Sequence, residues 1–185
     1  MIILASKSPR RKELLSLITK NFVIEPAKGE ETADESLPTD LYVSALAENK
    51  AREIAALHPE DIVIGADTIV AAKGEILGKP RYAEDAKRML TLLSGTEHSV
   101  YTGVCVINKG EEYTFCEETR VRFFELSEEE IDDYIATGEP FDKAGAYGIQ
   151  DYGALLVEGI EGDYYNVMGL PVGKLNRVLK ELGIL

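Results

Sequence analysis

Strand-like and helix-like segments alternate over the first half of this chain, and two long β-rich runs follow them. Residues 61–72 have the apolar character of a buried strand, whereas residues 39–57 are expected to form a long helix. The later runs, residues 98–108 and 113–124, flank a Lys-Gly dipeptide and are expected to form a hairpin. This order predicts an α/β fold with a mixed, twisted sheet, flanking helices and two lobes around a central cleft.

No linker-like stretch or internal repeat divides the chain, so we expect a single domain over residues 1–185. The formal net charge of -13 argues against a nucleic-acid partner, which favours a basic surface. A small anionic ligand is compatible with this charge because it requires only a local basic pocket. The apolar stretches are too short to span a bilayer, so no membrane partner is expected.

The two cysteines, Cys105 and Cys116, each lie within a strand-like run. Two thiols at this spacing make neither a zinc site nor a disulfide framework, so both are expected to be free. The histidines, His58 and His98, have no partners at a readable spacing for a zinc site or a catalytic triad and are expected to be structural. The cysteine usage, together with an N-terminus unlike a secretory signal, favours a cytoplasmic location.

The segment SKSPRRKELL, residues 6–15, places basic side chains where a helix is expected to begin. Ser8 is a suitable N-cap, and the first turn of a helix carries a positive partial charge that disfavours bases. Backbone N–H groups and the hydroxyls of Ser6 and Ser8 suit a phosphate, and Arg10 and Arg11 add charged donors. We therefore predict an anion site there, with the two lysines of the segment in solvent.

Asp67 interrupts the apolar strand directly after Gly65-Ala66. A carboxylate in a buried strand is costly unless it is paired, hydrogen-bonded or bound to metal, and its small neighbours would let a ligand approach. An aspartate that bonds a turn at a strand end is the alternative. Lys50 falls on the apolar stripe of the preceding helix, where it either covers apolar surface with its stem or directs its ammonium at a phosphate. Spacing does not separate these two interpretations.

Lys79 occurs in a Gly-Lys-Pro sequence between a strand and a helix, but neither a P-loop nor a dinucleotide-binding fingerprint is present. Residues 138–153 are rich in glycine and contain Gln150, and this density of small residues favours a ligand-binding wall over an ordinary loop. In the acidic loop, Glu30-Glu31 offers oxygen ligands suited to Mg²⁺ or Mn²⁺, although most carboxylates in such a run are solvated.

Seven segments between residues 4 and 171 follow the order and character of one family. They read LASKSPRRKELL, ALAENKA, GADTIV, GKP, LSGTEHSVYTGV, GEPFDKAGAYGIQDYG and NVMGLP. Together they resemble the Maf-like nucleoside triphosphate pyrophosphatases. The resemblance implies a fold related to the inosine triphosphatase type, usually as a homodimer. It also implies hydrolysis of a nucleoside triphosphate to the monophosphate and pyrophosphate with a divalent metal cation.

The resemblance extends to a pyrimidine-type subgroup that acts on dTTP and UTP. That subgroup carries Arg after Ser-Pro, Thr after the catalytic Asp and Gln in the glycine-rich loop, and this sequence has Arg10, Thr68 and Gln150 there. A Gln amide can accept a hydrogen bond from uracil N3–H while donating to a neighbouring carbonyl, whereas a Glu can only accept. A flipped amide would also pair with cytosine, so Gln150 alone does not explain selectivity for uracil.

The resemblance also implies roles for the remaining candidates. Asp67 is expected to be the catalytic residue, either as the base that orients or deprotonates water or as a metal ligand, and the sequence does not distinguish these roles. Glu31 is expected to share the Mg²⁺ or Mn²⁺ ion with Asp67. The groups expected to bind phosphate are Ser6, Ser8, Arg10, Arg11, Lys50 and Lys79.

Two other functions fit the same pattern. A non-catalytic nucleotide-binding regulator of cell division or of a stress response would use the same phosphate pocket but would not need the Asp67 and Glu31 carboxylates. House-cleaning of modified nucleotides such as 5-methyl-UTP or pseudo-UTP would use the same contacts to the base edge. Pyrophosphate release from a nucleotide panel, with Mg²⁺ and with EDTA, separates the three functions.

Overall fold

A computed structural model describes residues 1–29 and 32–185, and within them it shows a seven-stranded sheet with flanking helices. The strands are β1 (Ile2–Leu4), β2 (Phe22–Ile24), β3 (Ile62–Ala72), β4 (Glu75–Leu77), β5 (Glu97–Asn108), β6 (Glu111–Phe123) and β7 (Val157–Glu161). The helices are α1 (Pro9–Leu15), α2 (Thr39–Leu57), α3 (Ala83–Leu93), α4 (Glu128–Ala136), α5 (Tyr164–Met168) and α6 (Val172–Glu181). None of the helices in these residues is long and apolar enough to cross a membrane.

The sheet combines parallel and antiparallel pairs. Its strand order in the described chain is β2-β1-β3-β5-β6-β7, and β4 pairs with β3. Strand β1 runs parallel to β2 and β3, with Leu4 opposite Ile24 and Ile64, whereas β4 and β7 pair antiparallel with β3 and β6. Helices α1 and α2 lie in the long crossovers that parallel pairing requires. The predicted mixed α/β sheet is therefore confirmed.

The first of two compact units comprises Met1–Asp67, Thr102–Glu117 and Gly169–Leu185. Its core is formed by side chains from β1, α2, β3 and β5 and includes Ile3, Ala47, Ala51, Ile54, Val63, Cys105 and Ile107. The apolar stripe predicted for α2 is buried, since Val43 and Ala47 have no exposed surface. This unit holds the predicted anion site, Lys50 and Asp67.

The second compact unit comprises Thr68–Tyr101 and Glu118–Met168. Its core includes Val70, Leu77, Met89, Leu90, Val121, Phe123, Tyr134 and Tyr147. The division between the units falls within β3, β5 and β6, so these strands contribute residues to both. A single domain over residues 1–185 and a cleft between two lobes stay predictions.

The end of the chain differs from the expected pattern. The sequence predicts a strand over residues 155–157, a loop around Asn166 and a helix over residues 170–182. In the structure, the strand β7 begins only at Val157 and continues to Glu161. Asn166 lies within the short helix α5. Pro171 is the N-cap of α6, and because proline lacks an N–H group, one helix does not continue into the other.

Both cysteines are thiols outside any disulfide, as expected. Cys105 is buried in β5, and Cys116 is half-buried in β6. Burial raises the pKa of the Cys105 thiol to about 11, so this thiol is protonated at neutral pH.

Candidate active site

Helix α1 begins at a turn that two serine hydroxyls stabilise. Ser8 is the N-cap, as predicted, and its Oγ accepts a hydrogen bond from Arg11 N at 3.4 Å. The Ser6 Oγ accepts from Ser8 N at 3.2 Å and from Arg11 Nη1 at 3.3 Å. Because the serine oxygens accept in these bonds, their own O–H groups are left to donate to an anion at the helix start.

The Arg11 guanidinium is also held by a residue near the end of the chain. Arg11 Nε donates to the carbonyl oxygen of Gly169 at 2.8 Å. Gly169 has a φ of 118°, a conformation that favours glycine. Arg11 therefore has a fixed position beside the Ser6 hydroxyl. The sequence pattern does not reveal the contact with Gly169, because these residues lie far apart along the chain. Arg10 is half-buried in the same turn.

Gly65 allows strand β3 to lie directly against helix α2. A Cβ atom at this position would come within 2.4 Å of the Ala47 carbonyl oxygen and 2.8 Å of the Ala51 amide nitrogen. Such an approach requires a residue without a side chain. Gly65 thus has a packing role, because its lack of a side chain lets the helix that carries Lys50 lie against β3. The sequence predicts instead that the small residues before Asp67 let a ligand approach.

Lys50 and Asp67 form a partly buried ion pair. Lys50 Nζ donates to Asp67 Oδ2 at 2.8 Å, and the two side chains are 14% and 13% exposed. This contact explains how a carboxylate is accommodated in an apolar strand. It also shows that the Lys50 ammonium is paired with Asp67 and does not simply extend into bulk solvent.

Tyr42, also on α2, lies in the field of the same carboxylate. Burial raises the pKa of the Tyr42 hydroxyl, and the negative charges of Glu35 and Asp67 raise it further. The hydroxyl is therefore protonated at neutral pH and retains a hydrogen-bond donor.

The groups of the first unit gather at one edge of its parallel strands. Leu4 of β1 lies opposite Ile64 of β3, and the Ala5 amide donates to the Ile64 carbonyl at 2.8 Å. Ser6 and Asp67 both follow these paired residues and therefore lie toward the carboxyl edge, where open α/β sheets bind ligands. This edge presents hydroxyl donors, basic side chains and a carboxylate together.

Thr68, Lys79 and Gln150 lie in the second compact unit. Thr68 is half-buried in β3, Lys79 is exposed after β4, and Gln150 is half-buried. The Gly145 amide donates to the Gly78 carbonyl at 3.0 Å. The structure thus joins the glycine-rich stretch that carries Gln150 to the Gly-Lys-Pro turn that carries Lys79.

Two of the four glycines in residues 138–153 adopt the positive φ values that glycine permits. Gly138 has a φ of 79° and Gly145 a φ of 70°. Lys143 pairs with Asp142 at 2.7 Å, and its ammonium also donates to a backbone carbonyl of the same stretch at 2.7 Å. This stretch is therefore folded on itself by local polar contacts.

Glu31, the second expected metal ligand, and the residue before it lie outside the described residues. The segments on either side are attached to α2. Glu53 accepts hydrogen bonds from the amides of residues 28–29 at 2.7 and 2.9 Å, and Asn49 donates to the Thr32 carbonyl at 3.0 Å. The helix that carries Lys50 therefore also anchors both described ends of the acidic loop.

No group of three or more His, Cys, Asp and Glu side chains in the described residues is arranged to hold a metal ion. Magnesium commonly takes one or two carboxylate ligands and completes its coordination with water and substrate phosphates. Asp67 offers a carboxylate at the edge where α1 presents its phosphate donors. This donor chemistry fits a divalent ion that is shared between the protein and a phosphate ligand.

A cavity of about 360 Å³ in the second unit lies among other residues. Side chains of α3 and α4 line it, including Lys87 and Ile131. None of the predicted site residues that the structure describes contributes to its walls, so the candidate site is not this cavity.

Comparison with known proteins matches the whole chain to one family. Residues 1–182 match the sequence model described as Maf-like protein. A protein of Bacillus cytotoxicus named dTTP/UTP pyrophosphatase is 56% identical over 180 residues, which cover 97% of this chain and 94% of that protein. Relatives with the same name are 54% identical in Bacillus cereus, covering 99% of this chain and 96% of the relative, and 50% identical in Agathobacter rectalis, covering 99% and 98%.

Solved structures share the fold at much lower identity. A HAM1 protein from Coxiella burnetii is 16% identical and gives a TM-score of 0.57 over 97% of this chain and 98% of that chain. A nucleoside-triphosphatase, described as a dITP/XTP pyrophosphatase, from Mycobacterium abscessus is 14% identical with a TM-score of 0.50 over 98% and 97%. These likenesses confirm the predicted fold type.

Proposed function

This chain belongs to the Maf-like protein family, and on that premise we propose that it hydrolyses dTTP and UTP to the nucleoside monophosphate and pyrophosphate. The observation that carries the proposal is the partly buried Lys50–Asp67 pair at the edge that presents the phosphate donors of α1. A protein that only bound nucleotide would not need this carboxylate near a polyanion, since like charges repel. The relatives named dTTP/UTP pyrophosphatase, at 50% to 56% identity, support the substrate class.

The start of α1 binds the triphosphate in this proposal. The hydroxyls of Ser6 and Ser8 donate to phosphate oxygens at the positive end of this helix. Arg11, already fixed by Gly169, adds a charged donor. Lys50 and the exposed Lys79 add positive charge that offsets the charge that develops on the leaving pyrophosphate.

Asp67 is the catalytic residue in this proposal. Its carboxylate accepts a proton from the attacking water as the new P–O bond forms, and pyrophosphate leaves with the electron pair of the broken α–β anhydride bond. The hydrogen bond from Lys50 Nζ fixes the orientation of the carboxylate. When bound, a Mg²⁺ or Mn²⁺ ion held by Asp67 and Glu31 would neutralise phosphate charge.

Selection of the base is assigned to Arg10, Thr68 and Gln150. The Gln150 amide accepts from N3–H of uracil or thymine and donates to a neighbouring carbonyl. Gln150 is half-buried, and shielding from water strengthens such hydrogen bonds. The same contacts admit 5-methyl-UTP and pseudo-UTP, so modified pyrimidine nucleotides belong to the proposed substrate class. The family resemblance also supports a homodimer and a cytoplasmic location.

A nucleotide panel tests the proposal. Pyrophosphate release is measured for dTTP, UTP, CTP, ATP, GTP and the two modified nucleotides, with Mg²⁺, with Mn²⁺ and with EDTA. We expect the fastest release from dTTP and UTP, and none with EDTA. Binding of UTP without release of pyrophosphate would instead identify a nucleotide-binding regulator. A preference of about tenfold or more for a modified nucleotide, about 1.4 kcal/mol, would assign the activity to house-cleaning.

A further inference from the structure

The backbone around Gln150 holds two residues other than glycine in the left-handed region. Ala146 has a φ of 61° and Asp151 has a φ of 53°. Residues with a Cβ atom rarely adopt such values, which persist only where the surrounding structure holds them. Both lie in residues 144–153, which we call the Gln150 segment. The contacts that hold this segment therefore decide where Gln150 is presented.

The first of these contacts is a buried hydrogen bond between Tyr147 and His98. His98 Nε2 and Tyr147 Oη are 2.7 Å apart, and the two residues are 3% and 4% exposed. Their rings pack edge-to-face, and Phe123 packs in the same way against both. The bond reaches from strand β5 to a residue shortly before Gln150.

The residue that makes this hydrogen bond, His98, also buries a polar atom that lowers the stability of the core. Burial lowers the pKa of His98 to about 4, so the ring is neutral at neutral pH. Its other nitrogen, Nδ1, is buried and has no hydrogen-bond partner among the described residues. A well-packed apolar side chain would avoid this unsatisfied atom. A polar pair at this position is therefore better suited to orient the segment than to stabilise the protein.

A second set of contacts holds the segment on both sides of Gln150. Glu139 accepts hydrogen bonds from the amides of residues 152–153 at 3.2 and 3.3 Å. The Tyr134 hydroxyl accepts a hydrogen bond from the Gly148 amide at 3.2 Å. These contacts attach the segment to α4 and the turn after it, whereas the Tyr147 contact attaches it to the sheet.

We propose that Tyr147 and His98 are positioning residues for base selection, because their hydrogen bond holds the Gln150 segment where the Gln150 amide meets the uracil edge. The inference rests on the proposed function, since it takes Gln150 to be the residue that pairs with the base. Two hydrogen bonds to one base edge form together only when the amide lies within about 0.5 Å of its productive position. Without the Tyr147 hydrogen bond, the segment still carries Gln150 but positions its amide less accurately. Recognition of the uracil edge is therefore weakened more than hydrolysis of the triphosphate.

The substitution Tyr147→Phe tests this role because it removes the hydroxyl and keeps the ring. The substrates are UTP and 3-methyl-UTP, which differ only in the N3–H group that Gln150 is proposed to recognise. We expect the ratio of their kcat/KM values to fall about tenfold, mainly through a higher KM for UTP. His98→Leu removes the partner from the other side and is expected to give the same loss.

A matched control is available in the same unit. The Ser94 hydroxyl accepts a hydrogen bond from the Leu126 amide at 2.7 Å, outside the Gln150 segment. Ser94→Ala therefore removes this bond and the 3.5 Å bond that the Ser94 hydroxyl donates to the Leu126 carbonyl, and it is expected to keep the wild-type ratio of kcat/KM values. Hydrogen exchange of the amides in residues 144–153 is expected to accelerate in Tyr147→Phe and to stay unchanged in Ser94→Ala.

A double variant separates positioning from general damage. Gln150→Ala by itself is expected to abolish the preference for UTP over 3-methyl-UTP. The addition of Tyr147→Phe is then expected to cause no further loss, because both changes act through Gln150. Two outcomes would overturn the inference but leave the proposed function standing. One is a further loss of the UTP to 3-methyl-UTP ratio in the double variant. The other is a wild-type ratio in Tyr147→Phe when Gln150→Ala has lost it. A wild-type ratio in Gln150→Ala overturns the proposed reading of the base, and the inference falls with it.

Discussion

Lys50 Nζ lies 2.8 Å from Asp67 Oδ2, and this ion pair joins helix α2 to strand β3. Gly65 permits the contact, because any larger residue there would collide with the backbone of α2. The glycine, the lysine on an apolar stripe and the carboxylate in an apolar strand are therefore parts of one arrangement. Since both side chains are largely removed from water, loss of either charge weakens the compensation of the other.

Lys50→Met is expected to destabilise the protein. It removes the ammonium that is paired with the Asp67 carboxylate, so we expect the free energy of unfolding to fall by about 2 kcal/mol. Urea unfolding measures this change. The double variant with Asp67→Asn is expected to recover part of the loss, because the two changes are coupled. Equal stability of wild type and Lys50→Met would show that the pair is energetically unimportant.

Gly65→Ala is expected to push β3 away from α2. The added Cβ atom would lie 2.4 Å from the Ala47 carbonyl oxygen, and overpacking of this kind costs about 1–3 kcal/mol of folding stability. Gly173→Ala is the matched control, since no atom lies within 4 Å of a Cβ at that helical position. Thermal unfolding of both variants checks the prediction, which fails if they have the same midpoint.

Gln150→Glu is expected to impair the use of UTP far more than the stability of the fold. A carboxylate accepts from N3–H but cannot donate to the neighbouring carbonyl, so we expect kcat/KM for UTP to fall about 100-fold. Pyrophosphate release from the nucleotide panel, with urea unfolding in parallel, measures both effects. Equal losses with every nucleotide would instead assign Gln150 a structural role.

His98 is expected to make stability depend on pH. Burial lowers its pKa from 6.5 to about 4 in the folded protein. Between these pH values the unfolded chain binds a proton that the folded protein does not, so this contribution to stability declines as the pH falls from about 6.5 to about 4. The full difference corresponds to about 3 kcal/mol. Urea unfolding across this range is expected to show a weaker pH dependence in His98→Leu, and identical slopes would contradict the assignment.

The sequence predicts the elements with strong local signals. The N-cap at Ser8 and the apolar stripe of α2 follow from spacing and capping chemistry, which act within one helix. The sequence does not predict the short helix α5, which contains Asn166, because five residues are too few to show a helical pattern. Pro171 then separates α5 from α6. Helix α2 spans the predicted residues, and Pro38 occupies its N-cap without a side-chain hydrogen bond.

The candidate site is predictable in its residue types and not in its contacts. Asp67 and Lys50 each stand out as charges on apolar surfaces, but only folding shows that they pair with each other. The contact of Arg11 with Gly169 and the bond between His98 and Tyr147 join residues far apart in sequence. Such contacts depend on the packing of whole elements, and no local pattern encodes them.

Pyrophosphate release from UTP by wild type and Asp67→Asn tests the central claim most directly. The variant keeps the shape of the side chain but removes its charge and its capacity to accept a proton at neutral pH. Asp61→Asn, directly before the same strand, is the control and is expected to retain turnover. We predict that wild type releases pyrophosphate and that Asp67→Asn, although folded by urea unfolding, releases none. Turnover of the Asp67→Asn protein close to that of wild type would contradict this account.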